Sequence, residues 1–331
     1  MARPIARVAV VGAGLMGHAI ALACAKERLR VRLTDVNPRV LAEAATKIER
    51  VLAGLVKNRV LSGRAAAAAS RRIDFSGSLA ETVADAELVQ ESVQEDLAVK
   101  KRLFAELDRV CAADTILATN TSSIRIGELA AATRRPERVV GAHWFSPPYL
   151  MPVMEVVLGR ATSRRTARRA LEYARRLAKV PVLVKDTPGF VVNRIQMAML
   201  NEAIDLVDRG VATAADVDAA VRIALGSRLS IFGPLCCNDL FVSKRTSLNL
   251  FAYLHAATGE DKFRPSGLLR RLVKAGDDGV FSGRGFFRYP GPSAATLARR
   301  DQALALLMRQ LAQFERRNPF SGCFQPRRFA R

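Results

Sequence analysis

A glycine-rich turn near the start of the chain constrains the fold more than any other feature. Residues 8–17, VAVVGAGLMG, have the pattern of a buried strand that enters a turn and then a helix. Gly12, Gly14 and Gly17 give the spacing G-x-G-x-x-G. In this motif the first glycine permits the tight turn, the second leaves room for a pyrophosphate at the backbone, and the third allows close packing of helix on strand. The stretch therefore predicts a dinucleotide-binding βαβ unit.

The residues after the turn narrow the choice of dinucleotide. A helix-compatible run begins with Leu15 and Met16, which we include in the predicted cofactor loop, and the start of such a helix favours bound phosphates. A second apolar strand, 29–33, leads to Asp35. An acid there can accept hydrogen bonds from the ribose hydroxyls and repels a 2′-phosphate, which favours NAD over NADP. The alternative is a glycine turn that binds nothing.

Predicted strands and helices alternate along the first half of the chain. Further short apolar strands are predicted over 87–89, 115–118 and 139–142, with helical segments between them. Such alternation indicates a parallel sheet, which binds its ligands beyond the carboxyl ends of the strands. The residues at these ends are Gly12, Asp35, Glu91, Asn120 and His143. We therefore expect an α/β fold with a Rossmann-type, doubly wound, mainly parallel sheet and a site along this edge.

The second half of the chain changes character after a Thr-Pro-Gly break at 187–189. From residue 190 to about 274 the pattern is helical, and a last helix is predicted over 293–313. We predict a cofactor-binding domain over 1–186 and an all-helical domain over 187–331.

A helical arm is predicted within the first domain, over residues 38–72. Lys57 and Arg59 make part of this arm basic. A solvated basic face and a contact with substrate phosphates are equally good interpretations of these charges.

One histidine stands out as a candidate for proton transfer. His143 ends a predicted strand, and imidazole is the side chain that titrates closest to neutral pH, so it can take a proton from an alcohol. Glu155 follows on another strand, where a carboxylate at the second ring nitrogen would fix the tautomer and stabilise the imidazolium. A lone histidine is more often structural than catalytic. We interpret His18 and His255 as structural.

Composition excludes several classes of protein. The formal net charge is +21, but only ten of the 52 basic residues are lysine and no aromatic residues interleave with them, so we predict no specific nucleic-acid partner. A GC-rich genome or the attraction of an anionic substrate are alternative explanations of the charge. The five scattered cysteines argue against a disulfide framework and a metal site and favour a reducing cytoplasm. No apolar run reaches the roughly 18 residues of a membrane span.

Six segments together are similar to one known family. They are VAVVGAGLMG, ESVQEDLAVKKRLF, NTSSIRIGELA, GAHWFSPPYLMPVMEVV, VKDTPGFVVNRIQMAMLNEA and SGRGFF. In this order they resemble the 3-hydroxyacyl-CoA dehydrogenase family, which includes lambda-crystallin-like and carnitine dehydrogenase members. The resemblance implies a Rossmann domain followed by a helical domain through which the chain forms a homodimer.

The resemblance also implies roles for individual residues. His143 matches the catalytic histidine, Glu155 its carboxylate partner, and Ser122 and Asn193 match residues that contact the substrate. The positions that match NAD contacts are Gly12, Gly14, Gly17, Asp35, Glu95, Lys100 and Ser122. Ser146 stands at a cofactor-facing position where the family usually has asparagine, and Phe281 stands where some members have a lysine near NAD. Lys57 and Arg59 fall where the family grips CoA.

The implied activity is NAD-dependent oxidation of a (3S)-3-hydroxyacyl-CoA to the 3-ketoacyl-CoA, as in fatty acid β-oxidation, with an acyl-CoA as substrate. Two alternatives remain open. One is a dehydrogenase of a free hydroxy acid such as L-gulonate or carnitine, and the other is a non-catalytic, lambda-crystallin-like protein that binds NAD. Acyl chain length and the physiological direction do not follow from the sequence.

Overall fold

The computed structural model describes residues 4–317 and contains two compact units, which divide between Ala198 and Met199. Residues 318–331, the end of the predicted helical domain, lie outside the described part of the chain. The first unit is built on one eight-stranded sheet. Its strands are β1 (Arg7–Val11), β2 (Arg30–Thr34), β3 (Ile73–Phe75), β4 (Leu88–Glu91), β5 (Ile116–Thr119), β6 (Val139–Trp144), β7 (Val153–Leu158) and β8 (Val180–Lys185).

The strand order, β3-β2-β1-β4-β5-β6-β7-β8, is that of a doubly wound sheet. Within it all neighbours are parallel except β6 and β7, which are antiparallel and place His143 directly opposite Glu155. The predicted fold class, a mainly parallel Rossmann-type sheet followed by helices, is confirmed.

Helices cover the sheet and form the arm. They are α1 (Gly17–Lys26), α2 (Pro38–Lys57), α3 (Gly63–Ser70), α4 (Leu79–Val83), α5 (Leu97–Val110), α6 (Ile126–Ala130), α7 (Arg164–Arg176) and the start of α8 (Val192–Asp208). Several begin at a side chain that accepts from a backbone N–H of the first turn, as Asn37 does for α2, Asp96 for α5 and Ser163 for α7. Pro38 follows the cap of α2, where a missing N–H costs nothing.

Two apolar clusters hold the helices to the sheet. One contains Ile20, Leu33 and Trp144, and the other contains Phe104 and Ile126. The helix α1 is buried almost along its whole length, so the glycine turn that precedes it is fixed by the core.

Two strands were not identified from the sequence, and both lie at the edges of the sheet. β3 is only three residues long, and only its first residue is buried. β8 is half-exposed and contains Pro181, which weakens a strand pattern and is tolerated at an edge. The helix α7 was also missed, because arginines occupy much of its length.

The second unit is helical. After the end of α8 it contains α9 (Ala214–Ala220), α10 (Ser227–Phe232), α11 (Pro234–Phe241), α12 (Lys244–Thr258), α13 (Gly267–Ala275) and α14 (Ser293–Arg317), with a π-helical turn over Val221–Gly226. No single helix within residues 4–317 has the length and apolar composition to cross a membrane, although the bent pair Ala214–Phe232 and Pro234–Phe241 meets both criteria together.

A buried ion pair organises this second unit. Asp239 is inaccessible to solvent and receives Lys244 Nζ at 2.7 Å, the backbone N–H groups of Phe286 and Phe287, and the hydroxyl of Tyr289. The SGRGFF segment is therefore bound to α11 through the carboxylate of Asp239, which also holds Lys244 at the start of α12.

Candidate active site

The three glycines of the turn have different surroundings. Gly12 has φ +97°, and a Cβ there would lie 2.5 Å from the carbonyl oxygen of Ser92. A Cβ at Gly17 would lie 1.7 Å from the carbonyl oxygen of Gly12. A Cβ at Gly14 would meet no protein atom within 4 Å. The first and third glycines are therefore required by the fold, whereas the second faces space that a ligand can fill.

Asp35 lies beside this turn. Its Oδ2 accepts from the N–H of Ala13 at 2.8 Å, and its Oδ1 accepts from the N–H of Asn37 at 2.9 Å. A cavity of about 460 Å³ adjoins the carboxylate and has mainly apolar walls, which include Val36, Leu41 and Phe75. An apolar pocket next to a partly exposed acid suits a base attached to a ribose. With the open space at Gly14, these residues fit NAD.

A buried charge network lies below the predicted cofactor edge. Glu91 and Lys100 are both buried, and Lys100 Nζ contacts Glu91 Oε1 at 2.6 Å and Glu95 Oε2 at 3.2 Å. Thr119 Oγ1 donates to the other oxygen of Glu91 at 2.6 Å. The structure thus places Lys100 beneath the surface, where its ammonium is held by two carboxylates.

Glu95 links this network to the loop after β5. Its Oε1 accepts from Thr121 Oγ1 at 2.5 Å and from the N–H groups of Ser122 and Ser123. Burial raises the pKa of the Glu95 carboxyl, but the Thr121 hydroxyl and the charge of Lys100 outweigh it and hold that pKa at about 2. Glu95 is therefore ionised and fixes the loop that carries Ser122.

His143 connects two elements through its two ring nitrogens. Nδ1 lies 2.8 Å from Glu155 Oε2, and Nε2 lies 3.1 Å from Ser122 Oγ. The ring is buried and packs against Phe145 and Phe190. Because a carboxylate accepts at Nδ1, the neutral ring carries its proton there and presents Nε2 as a base toward Ser122.

Glu155 is held from a second side by the start of α8. Its Oε1 accepts from the N–H groups of Val191 and Val192 at 3.0 and 2.9 Å. Burial raises the pKa of this carboxyl, but the hydrogen bonds from His143 and from these two N–H groups lower it below its usual value. The carboxylate therefore stays ionised next to the imidazole while it caps a helix N-terminus.

Asn193 also reaches this cluster. It lies in the first turn of α8, and its Nδ2 donates to the carbonyl oxygen of Ser122 at 3.3 Å. The preceding turn contains Gly189 and Phe190, both with positive φ. The structure thus brings together His143, Glu155, Ser122 and Asn193, four residues that are distant in the sequence.

Other predicted site residues lie elsewhere. Ser146 is exposed just after β6. Lys57 is exposed at the end of α2, beside an open groove of about 500 Å³ between α2 and α3, and Arg59 is exposed two residues further along the chain. Phe281 belongs to the second unit and is 54% exposed. Among the described residues of the first unit, the hydrogen bonds of the His143 cluster involve none of Ser146, Lys57 and Arg59.

Several contributors were not identified from the sequence. Thr121 holds Glu95, and the N–H groups of residues 191 and 192 hold Glu155. The sequence marks Asn120 only as a strand end, and in the structure its Oδ1 accepts from the N–H of Trp144 at 2.8 Å. Backbone donors carry no sequence signal, whereas the threonine in NTSS was visible as a hydroxyl at a strand end.

Comparison with known proteins identifies relatives over most of the chain. The family model described as 3-hydroxyacyl-CoA dehydrogenase, NAD binding domain, matches residues 7–187, and the model of the corresponding C-terminal domain matches residues 189–289. A probable 3-hydroxybutyryl-CoA dehydrogenase of Bacillus subtilis is 39% identical over 285 residues, which are 86% of this chain and 98% of the relative.

Two further comparisons cover more of the chain. A 5-formyl-3-hydroxy-2-methylpyridine 4-carboxylate 5-dehydrogenase of Mesorhizobium japonicum is 34% identical over 315 residues, 93% of this chain and 98% of the relative. The crystal structure of a 3-hydroxyacyl-CoA dehydrogenase from Archaeoglobus fulgidus has a TM-score of 0.76 and 32% identity, and the match covers 92% of this chain and 99% of that one.

Proposed function

This chain belongs to the 3-hydroxyacyl-CoA dehydrogenase family, and on that premise we propose that it oxidises a (3S)-3-hydroxyacyl-CoA to the 3-ketoacyl-CoA with His143 as the general base. NAD is the cofactor of the matched domain. The observation that carries the proposal is the hydrogen-bonded series Ser122–His143–Glu155, which ends on the first N–H groups of α8.

The proposed chemistry follows from the two ring nitrogens. His143 Nε2 takes the proton of the substrate 3-hydroxyl, and the Nδ1–H of the ring donates to Glu155 throughout. The ionised carboxylate stabilises the imidazolium that forms. When bound, NAD supplies the acceptor for the hydride. In the reverse direction the imidazolium returns its proton to the oxygen.

The Ser122 hydroxyl and the Asn193 amide serve as neutral donors to the substrate oxygen in this proposal. Both side chains are half-buried, and they are tied to each other by the hydrogen bond from Asn193 to the Ser122 carbonyl. Donors held in place before the reaction stabilise charge that develops on oxygen without the cost of reorganisation.

Cofactor binding divides between contacting and supporting residues. We assign Gly12, Gly14, Gly17 and the first turn of α1 to the pyrophosphate, and Asp35 to the ribose hydroxyls. Glu95 and Ser146 lie on exposed loops that can face the nicotinamide half. Lys100, which is buried, acts through Glu95 by keeping that carboxylate in place.

For the CoA part of the substrate we propose the helical arm. The groove between α2 and α3 is lined by Leu52, Val56 and Ala66, and Lys57 stands at its edge. Arg59 follows within the same exposed stretch. Apolar walls beside two cations suit a pantetheine chain with phosphates. Replacing both cations by glutamine should raise the KM for acetoacetyl-CoA with kcat unchanged, whereas Arg50→Gln, also exposed on α2, should change neither.

A free hydroxy acid is the second candidate substrate. A substrate without CoA is favoured by the Mesorhizobium japonicum relative, which is named for a free pyridine carboxylate with a formyl group at position 5 and whose match covers 93% of this chain. A free acid has no CoA part to contact the helical arm. Lys57 and Arg59 should therefore contribute to the binding of a CoA ester and not to the binding of a free acid.

A substrate panel separates them. Purified protein is assayed for the reduction of acetoacetyl-CoA or acetoacetate by NADH. It is also assayed for the oxidation of L-gulonate or carnitine by NAD. Each assay is repeated with NADPH or NADP in place of the first cofactor. We expect a kcat/KM for acetoacetyl-CoA at least about 10³-fold above every free acid, because binding energy from the remote part of a substrate lowers the barrier. A higher value for any free acid would overturn the CoA proposal, and a lack of turnover by all of them would support a non-catalytic NAD-binding protein.

We also propose a homodimer formed through the helical unit and a location in the cytoplasm. Exposed apolar side chains are numerous there and include Ile204, Leu235, Leu250 and Phe251. Such a surface is typical of an interface between subunits. Analytical ultracentrifugation at micromolar concentration should give twice the chain mass, and a monomer would refute the dimer.

A further inference from the structure

A small cavity at the opposite end of the sheet from His143 contains two buried arginines. It has a volume of about 150 Å³ and lies between the start of β5, the 3-10 turn Pro136–Arg138 and the first turn of α7. Its walls include Asp114, Glu137, Arg138, Arg165, Thr166 and Arg169. Arg138 immediately precedes β6, and His143 lies five residues further on, about 16 Å away at the usual rise of a strand. The cavity is therefore separate from the proposed reaction site.

Arg169 forms no close ion pair among the described residues. Its charge acts at longer range on Glu87, whose burial raises the pKa while hydrogen bonds from the Ala6 and Arg7 N–H groups and the charges of Arg7 and Arg169 lower it below its usual value. Arg169 is 8% exposed, and no carboxylate oxygen of the described residues lies within 4.0 Å of its guanidinium. Its guanidinium donates one long hydrogen bond, 3.4 Å from Nη1 to the carbonyl oxygen of Asp114, and its buried Nε has no hydrogen-bond partner among residues 4–317. A buried cation in this state is costly, because it has lost water without gaining a close, hydrogen-bonded counter-charge.

Arg138, like Arg169, has a buried Nε without a hydrogen-bond partner among the described residues. It is 5% exposed, donates from Nη1 to two backbone carbonyls, and pairs through Nη2 with Asp108 at 2.7 Å. Two guanidiniums on one cavity thus each keep a donor without an acceptor.

The other walls add to this preference for negative charge. Arg165 is exposed at the mouth of the cavity. The 13-residue helix α7 follows its cap Ser163 and has the positive end of its dipole at the cavity. The acidic side chains on the walls, Asp114 and Glu137, are exposed and so are screened by water and salt, unlike the two buried cations.

We propose that this cavity binds one compact oxyanion of the inorganic phosphate or sulfate class, held by Arg138, Arg165, Arg169 and the first turn of α7. A cavity of about this volume is large enough for a benzene-sized molecule, and phosphate has fewer heavy atoms. It is too small for a nucleotide. The anion supplies Arg169 with a close counter-charge and joins the starts of β5, β6 and α7.

The test is a titration of the full chain with inorganic phosphate, with NAD at saturation so that the glycine turn is filled. Calorimetry should give one phosphate per chain. Phosphate should raise the Tm by about 2 °C or more above chloride at equal ionic strength, because it binds only the folded state. Arg165→Gln should weaken phosphate binding about tenfold. Arg168→Gln, an exposed arginine of the same helix that does not line the cavity, should leave it unchanged.

A second variant tests the buried charge itself. Arg169→Met should unfold at no lower temperature than the wild type in phosphate-free buffer, and phosphate should no longer stabilise it, because a buried cation without a close counter-charge has been removed. If Arg169→Met does not fold, the phosphate affinities of Arg165→Gln and Arg168→Gln still test whether the cavity binds phosphate. Equal phosphate affinity in these two variants, or stabilisation by chloride and phosphate alike, would overturn the proposal.

Discussion

Glu155 contacts His143 with one carboxylate oxygen and the N-terminus of α8 with the other. The first contact arises from the antiparallel register of β6 and β7, in which the two residues are direct partners. The second arises because the chain turns at residues 187–190 and delivers two N–H groups to the same side chain. The orientation of the candidate base therefore depends on a strand pairing and a helix start together.

Glu155→Gln tests this double contact. The amide cannot accept both from the imidazole and from two N–H groups, so the tautomer of His143 is no longer fixed and the imidazolium loses its counter-charge. We expect kcat with acetoacetyl-CoA and NADH to fall by about 10³-fold, as for other acid–histidine pairs, with the Kd for NADH within twofold of the wild type. Glu172→Gln, an exposed residue of α7, is the control. Equal kcat values in the two variants would count against the role of Glu155.

The glycine turn offers a paired prediction. Gly14→Ala places a methyl group where no protein atom lies within 4 Å, so the free energy of unfolding should stay within about 0.5 kcal/mol while the Kd for NAD rises at least about tenfold. Gly17→Ala forces a Cβ against the Gly12 carbonyl and should destabilise by about 2 kcal/mol or more. Urea unfolding and NADH fluorescence measure both effects. A Gly14→Ala protein that keeps full NAD affinity would refute the proposed pyrophosphate site.

Asp35→Asn tests cofactor choice. Asparagine keeps one acceptor for the turn but removes the charge. We therefore expect the Kd for NAD to rise by about tenfold and the ratio of the Kd for NADP to the Kd for NAD to fall. Asp74→Asn, exposed on the neighbouring strand β3, serves as the matched variant. Unchanged discrimination between the two dinucleotides would show that other residues exclude the 2′-phosphate.

Acid stability should depend on Asp108. Its side chain is 2% exposed and contacts Arg134, Arg135 and Arg138. Burial raises the pKa of this carboxyl, but the hydrogen bonds from the three arginines dominate and hold it at about 2, below its ordinary 3.8. A lowered pKa means that the unfolded chain binds the proton first. The stabilisation is therefore complete above about pH 4 and is lost as the pH falls toward 2.

Asp108→Asn should consequently lower the free energy of unfolding by about 3 kcal/mol at pH 7, because three guanidiniums lose their shared charged acceptor. The difference in the free energy of unfolding between this variant and the wild type should become smaller as the pH approaches 2. Urea unfolding at pH 7, 4 and 3 measures this, with Asp74→Asn again as control. A difference that does not depend on pH would indicate a packing effect in place of an electrostatic one.

The helical unit should depend on Asp239. Asparagine at this position removes the charge that pairs with buried Lys244 and cannot accept from all four present donors, so we expect a loss of about 3 to 5 kcal/mol. Limited proteolysis should then cleave the second unit first, with NADH binding retained by the first. Asp208→Asn, exposed at the end of α8, should behave as the wild type.

The sequence by itself determined the strand–turn–helix of residues 8–17, the alternation of strands and helices, and the helical character of the second half. These features are local, because a turn that needs glycines and a run that needs apolar side chains are written in neighbouring residues. The sequence also marked Gly12, Asp35 and His143 as strand ends, which a parallel sheet collects at one edge.

Only the tertiary structure decided how these residues contact one another. The register that places Glu155 against His143 and the N–H groups of Val191 and Val192 on Glu155 are decided by how strands and helices pack. The burial of Lys100 between two carboxylates is decided in the same way, although Glu91 and Glu95 are near it in the sequence. The sequence also contained no sign of the burial of Arg169 and its unbonded Nε, because Arg169 is one of many arginines in the segment that forms α7. Such relationships depend on strand order and on which face of a helix meets the sheet, and these are fixed by packing of the whole unit, since no single segment encodes them.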